Sequence, residues 1–271
     1  MSAVGAVYRF ELRTARRGRV ALLFTVGFAL AAVGIALAGL SAGGVLAVQG
    51  FARTSVSLLQ LIIWTVPAIA LLVGAAAGAD LRDTEFIVAL PIARPVLVLS
   101  RWLAWLTVLA GALAVGLGAA GVVIALLAGA ADAGAYLALV GVALLVLAAC
   151  LAVGLALGIA VPTRARALAL ALLAWFVLTV GVDLVAITAL SLLPPRGLGW
   201  GLSLLLLADP VDSARALGLG LFQADIVAGP TGAALRQVLG RAGSAVLAGG
   251  LLAWTAGPLL LAGRRFRRGD L

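Results

Sequence analysis

Any chemistry in this chain has to come from ten carboxylates and nineteen arginines, because lysine and histidine do not occur. Carboxylates and arginines can pair, dock a partner or hold an anion. Without histidine they build no Ser-His-Asp or Cys-His nucleophile. Cys150, the sole cysteine, lies inside an apolar run and reads as an inert buried thiol. Met1 is the only methionine, so this chain alone cannot build a soft-metal site. A P-loop needs a lysine to reach the nucleotide phosphates. That residue is missing, which excludes a P-loop ATPase of the usual kind. Neither enzymatic chemistry nor a resident cofactor is expected.

The charges that do occur are grouped. Asp80, Arg82, Asp83, Glu85, Arg94 and Arg101 fall in one segment, punctuated by Pro91 and Pro95. A passive turn between helices could be much shorter. Acids before Pro91 and arginines after it read as a docking element. Asp183 is the one acid deep in an apolar run, which makes it a candidate for helix packing or gating. A proton relay is not expected, because no second ionisable residue is evident in the spans. Asp209-Pro210-Val211-Asp212, followed by Arg215, reads as a capped start of a short helix.

The elements that position these groups follow from composition. The chain has 271 residues, of which 65% are hydrophobic and 11% charged. A soluble domain carries about 25% charged residues, so this is a polytopic membrane protein. Residues 1–19 are too charged to span. Val4, Val7, Tyr8, Leu12 and Ala15 gather on one side of a helix, with Arg9, Arg13, Arg16 and Arg17 opposite, as suits an interfacial helix. Glu11 falls on the apolar side, which suggests a protein partner there.

Six apolar runs of spanning length follow, over residues 21–40, 56–79, 102–129, 135–161, 167–193 and 242–263. Trp102 and Trp105 are expected near the membrane interface. Residues 194–241 contain no span and read as two short helices at the outer leaflet. Fourteen arginines lie on the side of both termini, whereas Arg53, Arg196, Arg215, Arg236 and Arg241 lie opposite. The positive-inside bias therefore puts both termini in the cytoplasm. Arginines beside apolar spans point to membrane orientation rather than to nucleic acid. Four Gly-x-x-x-Gly pairs occur (39/43, 74/78, 154/158 and 197/201), but 34 glycines in 271 residues give about that many by chance. No packing role is assigned to them.

These residues resemble the ABC-2 class of ABC exporter permeases and, within it, the NosY family. Arg9-Phe10-Glu11-Leu12 and Arg17-Gly18-Arg19 are similar to the family's basic entry helix. Residues 85–94, EFIVALPIAR, resemble its acid, apolar run and Pro-x-x-Arg pattern, with Arg101 opening the third span. Trp175-Phe176 and Asp183-Leu184-Val185 resemble its fifth span, residues 204–215 its outer Asn-Pro-x-Asp stretch, and Phe266-Arg267-Arg268 its tail. Two positions depart from that pattern. Arg82-Asp83-Thr84 stands where a Gly-Thr dipeptide is common, and Asp209 stands for the usual Asn.

The resemblance implies an all-α, six-helix permease of the ABC-2 (type V exporter-like) fold in the cytoplasmic membrane. Residues 1–19 would be the elbow helix, including Arg9, Glu11, Arg13 and Arg17, and residues 20–271 the permease domain. Within it, 80–101 would couple to the ATPase and 194–241 would form the outer re-entrant segment with Asp209, Pro210, Asp212 and Arg215. Implied partners are two ABC ATPase subunits carrying ATP and Mg, a second copy of the chain, membrane lipid and a periplasmic NosD-like protein. The role implied is maturation of the copper site of nitrous oxide reductase. The alternative is a general ABC-2 exporter of a lipid, drug or peptide.

Overall fold

The computed structural model describes residues 3–16, 18–41, 47–83, 93–129, 133–192, 198–221 and 242–268, and among these there is no strand. The helices are α1 (Ala3–Arg16), α2 (Arg19–Ser41), α3 (Ala47–Asp83), α4 (Arg94–Ala128), α5 (Ala133–Ala160), α6 (Arg164–Phe176), α7 (Val182–Leu192), α8 (Leu198–Ala208), α9 (Pro210–Leu221) and α10 (Gly243–Arg268). A π-helical turn, Val177–Gly181, joins α6 to α7 into one span.

Local sequence explains the boundaries. Pro95 stands in the first turn of α4, where its missing N–H costs nothing. Gly129 ends α4 with a φ of 88°, a conformation that favours glycine, and its N–H donates to Ala125 O. Thr163 caps α6 by accepting from the Arg166 N–H at 3.3 Å.

Six helical stretches are long and apolar enough to cross a membrane: Arg19–Gly39, Thr54–Leu81, Arg94–Leu127, Ala133–Ala160, Arg164–Val185 and Gly243–Phe266. The chain is a multi-pass membrane protein. Burial ranks the spans. The α5 span is 67% buried and forms the central column, whereas the α6–α7 span is 11% buried and lies at the rim. The exposed Leu172, Leu173, Phe176 and Ile187 of that rim suit a hydrocarbon surround.

The core is organised on α3 crossing α5. Leu58, Ile62, Val66 and Leu71 of α3 and Leu139, Val146, Leu147 and Leu155 of α5 are all fully buried or nearly so. Gly74 and Gly78 lie directly against Gly154 and Gly158, where any side chain would meet backbone of the other helix. Two of the four Gly-x-x-x-Gly pairs therefore make the tightest crossing, and the chance argument that discounted them is overturned. Counting pairs ignores register: these two are the pairs that face one another.

Trp102 makes a further link between helices. Because α4 begins at Arg94, Trp102 lies two turns inside the helix. It is 9% exposed and donates from Nε1 to Ala148 O of α5 at 3.3 Å. It joins two helices.

Candidate functional site

Two groups of charged residues are built by the fold. The first is a chain of contacts that links α1, the end of α3, the starts of α4 and α6 and the ends of α5 and α10. Arg101 donates from Nε to Glu11 Oε2 at 2.9 Å, from Nη2 to Glu11 Oε1 at 2.7 Å, and from Nη1 to Ala77 O at 3.1 Å. Both residues are buried, at 8% and 4% exposure. The fork satisfies both carboxylate oxygens, as a buried ion pair requires. Glu11 was expected to meet a separate protein; it is instead answered within the chain, ninety positions away. Its place on the apolar side of α1 is explained by that arginine.

Arg94 donates from Nη1 to Phe266 O at 2.7 Å, and its guanidinium lies 5.7 Å from the centre of the buried Phe266 ring. This ties the start of α4 to the last turns of α10. Arg265 donates to Ala160 O at 3.3 Å, joining α10 to the end of α5. Asp80 and Arg164 pair at 3.0 Å across the ends of α3 and α6. Both are about half exposed, so this pair adds little stability. Arg9 and Arg13 stand exposed on α1. Arg82 and Asp83 close α3, while Glu85, Pro91 and Arg17 lie outside the described residues.

The second group lies on a helical hairpin. Helices α8 and α9 have 11 and 12 residues, about half the length needed to cross a bilayer. Asp209 joins them and is wholly buried. Its Oδ1 accepts from the Val211 N–H at 2.7 Å and the Asp212 N–H at 3.4 Å, capping α9. Ser213 Oγ donates to Leu206 O at 2.7 Å and locks the two arms. Trp254 Nε1 donates to Leu207 O at 3.1 Å. Since Trp254 stands near the middle of α10, Asp209 is fully buried and α9 packs on α5, the hairpin tip reaches the interior of the bundle.

Asp183 is not isolated. Arg215 Nη1 donates to both of its oxygens at 2.9 Å and lies 2.8 Å from Asp212 Oδ1. The approach to Asp212 is electrostatic only, since no aligned hydrogen bond meets that oxygen. The missed signal was Arg215 itself, which lies outside every predicted span and reaches Asp183 because the hairpin folds inward. Asp209 Oδ2 is buried with no hydrogen-bond partner. An unmet buried acceptor costs about 1–3 kcal/mol, more when charged. Asp209→Asn keeps the capping oxygen and removes the buried charge, so a melting temperature higher by about 2–4 °C per kcal/mol relieved is expected in detergent. An unchanged or lower melting point would show that relief of the buried charge does not outweigh the amide donors placed where Oδ2 stood.

A bundle with six helical stretches of spanning length, an amphipathic first helix and a short helical hairpin before the last span defines a polytopic membrane protein. The chain belongs to the ABC-2 family of transporter proteins, whose model matches residues 5–271. It is a permease subunit of an ABC transporter, and such a subunit works with an ATPase. It is 32% identical over 283 aligned positions to the probable ABC transporter permease protein NosY of Stutzerimonas stutzeri, with 99% of each chain covered. It is 33% identical over 279 positions to the protein of the same description from Pseudomonas aeruginosa, again with 99% of each chain covered.

Proposed function

We propose that this permease subunit is NosY-like in role as well as in sequence: it transmits ATP-driven motion that supports maturation of the copper site of nitrous oxide reductase. The observation that carries the reading is the 32–33% identity across 99% of both chains to NosY permeases. Two copies would assemble in the cytoplasmic membrane with both termini inside, each with an ATPase subunit holding ATP and Mg. Residues 80–101 would receive the ATPase, with Asp80, Arg82, Asp83, Glu85, Pro91, Arg94 and Arg101 in or beside the contact. The bonds from Arg94 to Phe266 and from Arg101 to Glu11 support this, because they connect that segment to α10 and α1. Asp183, Asp209, Pro210, Asp212 and Arg215 would respond on the opposite side, toward a periplasmic NosD-like protein.

The chain has no histidine and only Met1 as thioether, so a ladder of soft copper ligands through its spans is not available. Motion passed to a periplasmic partner, or passage of a sulfur compound, fits better. Copper bound stoichiometrically by the isolated subunit would contradict this. The coupling role is tested with Glu85→Ala/Arg94→Ala. ATPase association and permease-stimulated hydrolysis are both expected to fall at least tenfold, measured on the complex purified from its native membrane. Undiminished stimulation would remove 80–101 as the contact. An ATPase found with no periplasmic protein would turn the reading toward general export.

A further inference from the structure

Between α1, α2 and α4 runs an open groove of about 620 Å³, within the ~300–1,000 Å³ of sites that hold small ligands. Its walls are hydrocarbon: Leu22 and Val26 on α2, Val108, Gly111 and Val115 on α4. The two hydroxyls in it have their donors engaged by the chain. Thr25 Oγ1 donates to Ala21 O and Thr107 Oγ1 to Leu103 O, each at 2.7 Å. The Tyr8 hydroxyl, 3.0 Å from Thr107 Oγ1, ties α1 to α4 beside the groove.

One end is charged. Arg16 is an exposed lining residue, and no carboxylate pairs with it among the described residues. The only carboxylate of α1, Glu11, is taken by Arg101. Ala21 and Leu22, also in the lining, belong to the first turn of α2. The N–H groups of such a turn have no partners in their own helix, and its dipole favours an anion. A hydrocarbon trough therefore ends at a guanidinium and a helix start, and the trough opens sideways past exposed Leu22, Val26 and Val115.

We propose that this groove holds one anionic glycerophospholipid of the surrounding bilayer, an acyl chain along α2 and α4 and its phosphate on Arg16 at the start of α2. The lipid fixes the entry helix against α4. This rests on the membrane location of the chain and not on its copper-pathway role.

The test is native mass spectrometry of the delipidated protein, titrated with phosphatidylglycerol or phosphatidylcholine of identical chains. The wild type is expected to retain phosphatidylglycerol at least fivefold better. Arg16→Gln is expected to bring the two lipids within twofold of each other. Gly111→Phe, at a position where an added Cβ meets nothing within 4 Å, is expected to lose both. Val115→Trp fills the same trough one turn on if the first variant does not fold. Equal retention of the two lipids by the wild type, or undiminished phosphatidylglycerol on a folded groove-filling variant, would overturn the proposal.

Discussion

Arg101→Ala is expected to destabilise the protein by about 3–5 kcal/mol, the range seen when one partner of a buried ion pair is removed. The reason is what it leaves behind. Glu11 would stay buried at 4% exposure and lose two hydrogen bonds, and Ala77 O would lose the guanidinium that adds to its helical bond. The loss should reach further than its own site, because this pair holds α1 to α4. Glu11→Ala/Arg101→Ala should be more stable than Arg101→Ala alone, since no bare carboxylate remains. Arg101→Lys should fall between: it keeps the charge but cannot present the two-toothed fork that meets both oxygens. Thermal unfolding of the four proteins in one detergent measures all of this. A melting temperature for Arg101→Ala within 1 °C of wild type would mean that the pair does not form in the protein.

The same pair shows where sequence reading succeeds and where it stops. Spans are legible because each must cover the bilayer with apolar residues, a constraint carried by every position of the run. So the six spans and the all-helical class follow from composition, as does the Asp209 cap, which depends on neighbours two and three residues away. Pairings across the fold carry no such local mark. Glu11 looked misplaced on its helix because its partner is ninety positions distant. Asp183 looked alone because Arg215 arrives on a hairpin whose inward tilt is set by Trp254 and Ser213, not by its own pattern. The start of α4 is a further case: the unbroken apolar run opens at Trp102. The helix in fact begins at Arg94, since amphipathic turns outside the hydrocarbon remain helical.

The glycine crossing gives the largest expected effect. At Gly158 a Cβ would lie against Ala75 O, 2.8 Å from Ala79 N and 2.9 Å from Gly78 Cα, all main-chain atoms of α3. At Gly74 it would lie 2.6 Å from Leu151 O of α5. A flexible side chain could swing aside, but a helix backbone cannot. The helices must separate and give up contacts along the whole crossing, so the loss should exceed the about 1–3 kcal/mol usual for overpacking. Gly158→Leu is expected to yield no folded protein, and Gly158→Ala to melt well below wild type. Gly34→Ala and Gly249→Ala, where an added Cβ meets nothing within 4 Å, are expected to match wild type or exceed it, because alanine is the better helix former. Monodispersity on size exclusion and thermal unfolding separate the two pairs. Equal behaviour of Gly158→Ala and Gly34→Ala would sink the crossing. With the crossing intact, α3 and α5 have no soft layer between them. The helix that Asp209 caps packs against that same α5 column.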